Sequence, residues 1–373
     1  MADKNAIISK LNQFSDVILA LGVVTIVMMM IIPLPPFLLD LLLALNITLS
    51  LTIVMISIYN VEPLQFSVFP SLLLVTTQFR LALNVSATRL ILLQGYAGEV
   101  ILAFGSFVVG GNAVVGFIVF SILILIQFIV ITKGAERVAE VAARFTLDAM
   151  PGKQMAIDAD LNAGLINDNE ARTRRRNIQR EADFYGAMDG ASKFVKGDAI
   201  AAIVIIVVNI LGGFIIGMVQ RDMSILQALQ TYTLLTVGEG LVNQIPALLV
   251  STATGLVVTR AASENNLGHD IAAQLLAYPR VFFLVAAVLA VLSAVPGLPG
   301  VPFLSIAILI SGLGYILQKT AKTAQETAVT QQEEKELEEV RKPENIVSLL
   351  QVDPIELEIG YSLIPLVDVA QGG

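Results

Sequence analysis

The sequence contains no cysteine and only one histidine, His269, among its 373 residues. The first absence excludes disulfides and thiolate metal sites, and a single histidine argues against a histidine-based metal site or a Ser-His-Asp triad within this chain. The Gly-x4-Gly-Lys-Ser/Thr loop of nucleotide-binding domains is missing too, because Pro151-Gly152-Lys153 lacks the glycine-rich phosphate cradle. We therefore expect neither an enzyme nor a bound cofactor.

Charged residues are scarce as well. Asp, Glu, Lys and Arg make up 14% of the chain, whereas hydrophobic residues make up 55%. A soluble domain carries roughly a quarter charged residues, so this composition indicates a protein embedded in a lipid bilayer. The formal net charge of −8 gives no reason to expect a nucleic-acid partner.

Long apolar stretches account for this composition, since a bilayer core needs about 20 mostly apolar residues per helix. Eight stretches are predicted to span the membrane: Val17–Ile32, Phe37–Tyr59, Phe66–Leu83, Phe104–Thr132, Ala199–Val219, Gly240–Thr259, Val281–Val295 and Val301–Leu317. The first ends in Pro33-Leu34-Pro35-Pro36 with no small-x-small cleavage site, so we interpret it as a retained helix rather than a signal peptide. The predicted fold is an all-α polytopic membrane protein.

Basic residues set the orientation of the spans. The connection 133–196 is rich in lysine and arginine and should be a small cytoplasmic α-rich domain, with Asn167-Asp168 as the N-cap of one of its helices. Four spans on each side of it place both termini in the cytoplasm. The predicted domains are spans 1–4 in residues 1–132, the inter-span domain 133–197, spans 5–8 in 198–318, a linker 319–345, and a second soluble domain beginning at 346–373, which is too short to build a core and suggests a fragment.

Six motifs distributed along the chain carry a resemblance to a known family. They are Arg80-Leu-Ala-Leu-Asn84-Val-Ser-Ala-Thr88-Arg89, Gly134-Ala-Glu-Arg137-Val-Ala-Glu140, the run 144–154, the run 158–164, the run 184–198, and Tyr232–Gly240 with Gln244-Ile-Pro246. Together and in this order they resemble the type III export-gate family, whose members serve flagella and virulence injectisomes. Asn84, Asp183-Phe184-Tyr185 and Gly360-Tyr361-Ser-Leu-Ile-Pro365 are similar to the flagellar branch.

The resemblance implies a function and a set of partners. It implies a homo-oligomeric, nonameric ring in the bacterial inner membrane, which couples the proton or sodium motive force to export of flagellar proteins. The other membrane subunits of the export gate and the MS ring of the basal body would be neighbours of this ring. Export substrates and their chaperones would dock on a C-terminal cytoplasmic domain. The sequence departs from the family at Glu239, where the family usually has Asp.

Three carboxylates in or beside predicted spans are candidates for ion coupling, because ionisable groups in a span are costly and are retained for a reason. Asp198 follows Lys193 and Lys196, and a proton or cation arriving there would change its pairing with these lysines and move the soluble segment; the alternative is a static pair or a helix-end carboxylate. Asp40 either relays protons or pairs with Arg80 or Arg89.

Glu239 lies between two glycines and is followed by Pro246. Two interpretations stay open: a broken helix whose free backbone groups line a wet cavity, or a surface loop before the sixth span. The first makes Glu239 an ion site, whereas the second gives it no chemical role.

Further charged residues are candidates for the pore or for a network between subunits. They are Arg80, Arg89, Arg137, Arg144, Asp148, Lys153, Asp158, Asp160, Lys193 and Lys196. Arg144 and Asp148 have the i,i+4 spacing of a helical ion pair, and any one exposed pair contributes under about 1 kcal/mol. The run Arg174–Arg176 is interpreted as an exposed basic face.

Two other functions compete with a flagellar export gate. The first is an injectisome export gate, which would share the fold and differ in cargo. The second is an ion-coupled transporter of a small solute, against which stand the absence of a convincing internal repeat and the large soluble segment. A large ring on purification would favour a gate, and a monomer or dimer would favour a transporter.

Overall fold

The computed structural model describes residues 15–260, 265–295 and 298–341, and within those ranges it contains helices and their connections but no strand. The α-helices are α1 (Ser15–Ile31), α2 (Pro36–Tyr59), α3 (Phe69–Gln94), α4 (Glu99–Val109), α5 (Ala113–Ile126), α6 (Lys133–Asn162), α7 (Asp168–Gln220), α8 (Ile225–Thr259), α9 (Leu267–Leu276), α10 (Pro279–Ser293) and α11 (Gly300–Arg341). The prediction of an all-α membrane protein agrees with this architecture. The segment 346–373, predicted to begin a second soluble domain, lies outside the described residues.

Five stretches of helix are long and apolar enough to cross a membrane, judged by length and composition in the described residues: Pro36–Tyr59, Val114–Asn162, Asp168–Gln220, Ile225–Thr259 and Gly300–Thr320. Two bent helix pairs raise the number to seven if each pair counts as one span. The predicted count of eight is not confirmed. The first predicted span corresponds to α1, an apolar helix of only 17 residues, which is at the lower limit for a span.

The third and fourth predicted spans have different boundaries in the structure. Helix α3 continues to Gln94 and is followed, after an 82° bend, by α4. The bend requires glycine, because Gly95 has a φ of +65° and Gly98 a φ of +106°, conformations that other residues rarely adopt. The predicted fourth span, Phe104–Thr132, is therefore divided between the end of α4, the whole of α5 and the π-helical stretch that follows it.

Helix α5 leads directly into the polar part of the chain. Asn112 caps its first turn by accepting hydrogen bonds from the backbone N–H groups of Val114 and Val115 at 3.1 and 3.2 Å. A π-helical stretch, Gln127–Thr132, joins α5 to α6 without a loop. Residues 133–197 thus form a helical hairpin of α6 and the first half of α7, continuous with apolar helix on both sides.

The predicted N-cap of the hairpin's second helix is confirmed. The side chain of Asn167 accepts a hydrogen bond from the backbone N–H of Glu170 at 2.9 Å. From this cap, α7 runs for 53 residues as one helix. Small side chains let the two arms pack closely, since Ala139 and Ala143 of α6 are buried against α7 residues such as Ala191.

Helix α8 is the central helix of the membrane part. In its most apolar window 67% of residues are buried, compared with 11% for α7. It packs against α2, α4 and α7, with Tyr232 and Leu235 in the same apolar core as Leu39, Leu43 and Leu83. Polar residues in the middle of α8, including Thr236, Glu239, Asn243 and Gln244, are consequently buried in protein.

The chain divides near Ile271 into two units. In the second, α10 and α11 pack against each other, and Gly314 of α11 allows the close approach of Phe282. Helix α11 continues through the polar segment that begins at Lys319 and reaches Arg341. The predicted linker is helical over this part of its length.

Candidate functional site

The most deeply buried ion pair among the described residues joins Arg80 of α3 to Asp198 of α7. Arg80 Nε donates a hydrogen bond to Asp198 Oδ2 at 2.8 Å, and Arg80 Nη2 donates to the same oxygen. The side chains are only 4% and 3% exposed, so a charge left without its partner here is costly. Asp198 Oδ1 is buried and has no hydrogen-bond partner within the described ranges. One carboxylate oxygen is therefore available to a ligand.

A second buried carboxylate, Glu239, lies in the middle of α8 and is 2% exposed. Asn243, one helical turn later, donates from Nδ2 to Glu239 Oε1 at 3.1 Å and to the backbone carbonyl of Glu239 at 2.9 Å. No lysine or arginine in the described part of the chain forms an ion pair with Glu239. A buried carboxylate without a cationic partner is the kind of group that binds a proton or a cation.

Both carboxylates line one cavity of about 40 Å³. Its polar lining consists of Arg80, Asn84, Gln127, Asp198, Glu239, Asn243 and Gln244, and its apolar wall includes Phe128 and Ile206. A volume of this size has room for about two or three water molecules. Three residues predicted separately, Arg80, Asp198 and Glu239, thus meet in one polar site between α3, α7 and α8.

The glycines beside Glu239 pack helices closely and do not break α8. A Cβ on Gly238 would collide with the backbone carbonyl of Ile101 and lie 3.0 Å from the backbone nitrogen of Gly105, and a Cβ on Gly240 would collide with the ring of Phe120. The predicted broken helix and the alternative of a surface loop are both wrong, because α8 is continuous and contains Pro246. These glycines allow α4 and α5 to approach α8 closely.

Asp40 lies outside the cavity lining and has a different partner from either arginine proposed for it. Its Oδ2 accepts a hydrogen bond from the backbone N–H of Glu99 at 2.9 Å, and its Oδ1 accepts one from Val100 at 3.1 Å. These two groups are free donors at the start of α4, which Asp40 therefore caps from α2. The prediction of a pair between Asp40 and Arg80 or Arg89 is wrong.

Arg89 also contacts a helix end. Its Nη1 donates a hydrogen bond to the carbonyl of Ile31 at 2.7 Å, at the last turn of α1. Carbonyls at a helix C-terminus lack helical donors and carry a partial negative charge. Arg89 thus holds α1 against α3, and it does not line the cavity.

The lysines predicted to pair with Asp198 pair with other carboxylates. Lys193 Nζ lies 2.7 Å from Asp189 Oδ2, one turn earlier on α7, and Lys196 Nζ lies 3.0 Å from Glu136 Oε1 on α6. Side chains two or five residues apart do not share a helical face. Asp198 therefore faces α3 instead.

The charged residues of the hairpin form ion pairs within the chain. Two lie along α6, between Arg137 and Glu140 at 2.8 Å and between Arg144 and Asp148 at 3.8 Å, the second at the predicted i,i+4 spacing. Three others cross the hairpin, from Lys153 to Glu181, from Asp160 to Arg174 and from Asp158 to Arg175, and Arg174 also pairs with Glu170 along α7. The run that begins at Arg174 is therefore more than an exposed basic face.

The sequence interpretation assigned no role to several uncharged residues of the cavity. Asn84, Asn243 and Gln244 each have a buried oxygen without a hydrogen-bond partner among the residues described. These residues could have been recognised in the sequence as amide side chains inside apolar helices. Asn243 in addition lies one turn after Glu239. Amides cost little to bury when they bind each other, water or an ion, so these residues belong to the site.

Comparison with known proteins agrees with the motifs. A model of the FHIPEP family matches residues 26–373. The chain is 58% identical over 358 residues to the flagellar biosynthesis protein FlhA of Bacillus subtilis, which covers 96% of this chain and 53% of that protein. It is 50% identical over 364 residues to the FlhA protein of Salmonella typhimurium, covering 94% and 51%.

A relative with a different name matches as well. The low calcium response locus protein D of Yersinia pestis is 52% identical over 314 residues, covering 84% of this chain and 45% of that protein. The chain thus spans about half the length of the curated relatives it matches. No solved structure matches it.

Proposed function

Because this chain belongs to the FHIPEP family, we propose that it is the membrane part of the flagellar protein export gate and that it couples ion motive force to protein export. The similarity to the FlhA proteins supports the flagellar context. The observation that carries the coupling step is the cavity in which the Arg80–Asp198 pair and Glu239 meet.

The proposed coupling step begins in this cavity. A proton or sodium ion that binds Asp198 Oδ1 or Glu239 adds positive charge next to the Arg80–Asp198 pair and weakens it. Asp198 belongs to the same continuous helix as the second arm of the hairpin. A change in how Asp198 is held against α3 therefore alters the position of α7 and of the hairpin outside the apolar region.

The proposed location is the bacterial inner membrane, with the hairpin and both termini in the cytoplasm. Lysines and arginines concentrated in residues 133–196 support this orientation by the positive-inside rule. In this arrangement Asp198 lies near the cytoplasmic end of the apolar part of α7. The coupled ion would enter the site from the opposite side of the membrane.

The proposed assembly is a homo-oligomeric, nonameric ring within the flagellar basal body, beside the other membrane subunits of the gate and the MS ring. Export substrates and their chaperones are proposed to dock on a C-terminal cytoplasmic domain of the full-length protein. The greater length of the curated relatives supports such a domain. The exposed ion pairs of the hairpin are available to exchange partners between neighbouring subunits.

Protein export in cells tests this proposal. In the full-length protein, Asp198→Asn removes the charge and retains the shape, and Asp198→Glu retains the charge. We expect Asn to reduce export at least about tenfold, equivalent to about 1.4 kcal/mol, and Glu to restore part of it, at equal membrane abundance and with intact oligomers. Asp16→Asn, a change at an exposed carboxylate of α1, is the matched control. Normal export by Asp198→Asn would refute the coupling role.

An injectisome gate is the second candidate function. The similarity to the Yersinia pestis protein, which extends over 84% of this chain, favours it. Complementation distinguishes the two: the full-length protein is expressed in a strain that lacks its flagellar export gate and in one that lacks its injectisome gate. Recovery of swimming alone supports the flagellar function, and recovery of effector secretion alone supports the injectisome.

A further inference from the structure

A row of buried polar side chains continues beyond the cavity. Asn209 of α7 and Thr236 of α8 are completely buried, and Tyr232 is 1% exposed. The hydroxyls of Thr236, Tyr232 and Thr88, and both polar atoms of the Asn209 amide, have no hydrogen-bond partner in the described ranges. Buried polar atoms are nearly always paired, so several unpaired ones together require a partner such as water or an ion.

The contacts between α7 and α8 show that Asn209 and Thr236 lie at the same height along the two helices. A Cβ on Gly213 would collide with the Tyr232 ring, and a Cβ on Gly217 would lie 3.0 Å from the Cβ of Ala228. The two helices therefore run antiparallel in this seam. Asn209 is one turn before Gly213, and Thr236 is one turn after Tyr232, so both lie in the seam one turn closer to the cavity.

Helix α3 contributes the third side of the seam. Leu92 lies 3.4 Å from the position of a Cβ on Gly212, which sets the level of α3 against α7. Thr88 is one turn before Leu92 and one turn after Asn84, a residue of the cavity lining. The hydroxyl of Thr88 thus lies between the cavity and the level of Leu92.

The spacing to the cavity is short on all three helices. Asn209 is three residues from Ile206 and Thr236 three residues from Glu239, both of which line the cavity, and three residues of helix rise about 4.5 Å. Polar atoms one turn apart are within the reach of a single bridging water. The unpaired groups therefore continue the polar lining of the cavity along the contact between α7 and α8, away from the hairpin.

We infer that Thr88, Asn209 and Thr236 form a hydrated path inside each protomer, through which the coupled cation reaches Asp198 and Glu239. Tyr232, whose ring packs against Gly213 and Gly217, marks the far end of the path with its unpaired hydroxyl. Neutral oxygens suit this role, since they solvate a proton-carrying water or a sodium ion without binding it too tightly to release. The inference rests on the proposed ion coupling and locates the ion path within the subunit rather than at the centre of a ring.

Ion flux through the reconstituted full-length protein tests the path. Liposomes of phosphatidylethanolamine and phosphatidylglycerol carry a trapped pH dye or receive radioactive sodium, and flux is driven by an imposed membrane potential. Asn209→Leu and Thr236→Val replace the polar groups with apolar groups of similar volume. We expect each to lower flux about tenfold, the effect of a barrier about 1.4 kcal/mol higher, while the oligomer and its melting temperature are retained. Thr236→Ser keeps the hydroxyl and should conduct.

The control is the same substitution elsewhere on α8. Thr254 is buried, but its hydroxyl donates to the carbonyl of Val250 at 2.9 Å, so Thr254→Val should conduct like the wild type. If Asn209 and Thr236 serve packing alone, Asn209→Leu and Thr236→Val should conduct normally. Apolar replacement of unpaired buried groups then keeps or raises stability and leaves function intact. If Asn209→Leu folds poorly, Thr236→Val, the smaller change, decides the question.

The outcomes separate the path from the proposed function. If the wild type conducts, Asp198→Asn does not, and both path variants conduct normally, the path is refuted and the coupling role of Asp198 stands. If the wild type conducts no better than empty liposomes, both are refuted. Loss of flux in Thr236→Val, with recovery in Thr236→Ser and normal flux in Thr254→Val, supports the path.

Discussion

The carboxylate of Asp40 occupies the place where a side chain on Gly98 would have to be. A Cβ built on Gly98 collides with the Asp40 carboxylate, which binds the first backbone N–H groups of α4. On the other side of the same bend, Arg221 donates to the carbonyl of Leu93 at 2.7 Å. An acid from α2 and a base just after the end of α7 thus hold the two helix ends that meet at this bend.

Gly98→Ala is expected to destabilise the protein for two reasons. The residue has a φ of +106°, which costs an alanine of order 1–3 kcal/mol, and the new methyl group would displace Asp40. The thermal denaturation midpoint of the detergent-solubilised protein measures the effect. Gly134→Ala on α6, where a Cβ meets nothing within 4 Å, should instead be neutral or stabilising. Equal midpoints for the two variants would contradict this account.

Asp40→Asn distinguishes a helix cap from an ion-coupling carboxylate. The amide oxygen still accepts a hydrogen bond from the start of α4, so we expect a loss of about 1 kcal/mol or less and continued export by the full-length protein. Asp40→Leu removes both acceptors and should lower the denaturation midpoint further. If Asn stopped export while leaving the denaturation midpoint unchanged, the negative charge of Asp40 would be part of the coupling chemistry.

Gly238→Ala should disturb the packing of α8 against α4. The added methyl group would press on the backbone carbonyl of Ile101, which cannot turn aside as a side chain can, and overpacking of this kind costs about 1–3 kcal/mol. Gly255→Ala on the same helix is the control, because a Cβ there meets nothing within 4 Å. Relative to the wild type, Gly238→Ala should lower the denaturation midpoint, whereas Gly255→Ala should raise it.

The Arg80–Asp198 pair lends itself to a double-mutant cycle. Either Arg80→Met or Asp198→Leu alone leaves one buried charge and should cost about 3–5 kcal/mol. The double variant removes both charges and should recover most of that stability. Export should not recover, because the carboxylate is absent. Additive losses of stability would show that the two side chains do not depend on each other.

Glu239→Gln removes a buried ionisable carboxyl group while keeping an oxygen for Asn243 to bind. A carboxylate without a cationic partner is unfavourable in an apolar site, so the variant should denature at the same temperature as the wild type or higher. Under the proposed function its ion flux should nevertheless fall. Glu239→Asp keeps the carboxyl group and serves as the comparison. A stable variant with normal flux would remove Glu239 from the coupling site.

The sequence was sufficient to select the charged members of the site one at a time. Arg80, Asp198 and Glu239 stand out because charge inside apolar helices is rare. Their meeting in one cavity was not predictable, because it depends on how α3, α7 and α8 pack, and no local spacing encodes that packing. Lys193 is different: its partner Asp189 lies four residues earlier, and the i,i+4 rule predicts that pair.

Two of the incorrect predictions share a physical cause. Those for Asp40 and Arg89 assumed that a charged side chain needs a charged partner, whereas both residues bind the backbone groups of helix ends. Similarly, Gly238 and Gly240 looked like helix breakers because the helices they pack against could not be known. Glycine within an apolar helix serves close packing as readily as bending.

The length of α7 gives the site mechanical leverage. Asp198 lies about 30 residues from the start of this helix, so about 45 Å of rigid rod extends from the ion pair to the hairpin tip. Pivoting the rod by about 10° at Asp198 would carry the tip through about 8 Å, on the basis of the helical rise per residue. A small displacement at the Asp198 carboxylate would thereby move the tip of the hairpin by a distance comparable to the width of a polypeptide chain.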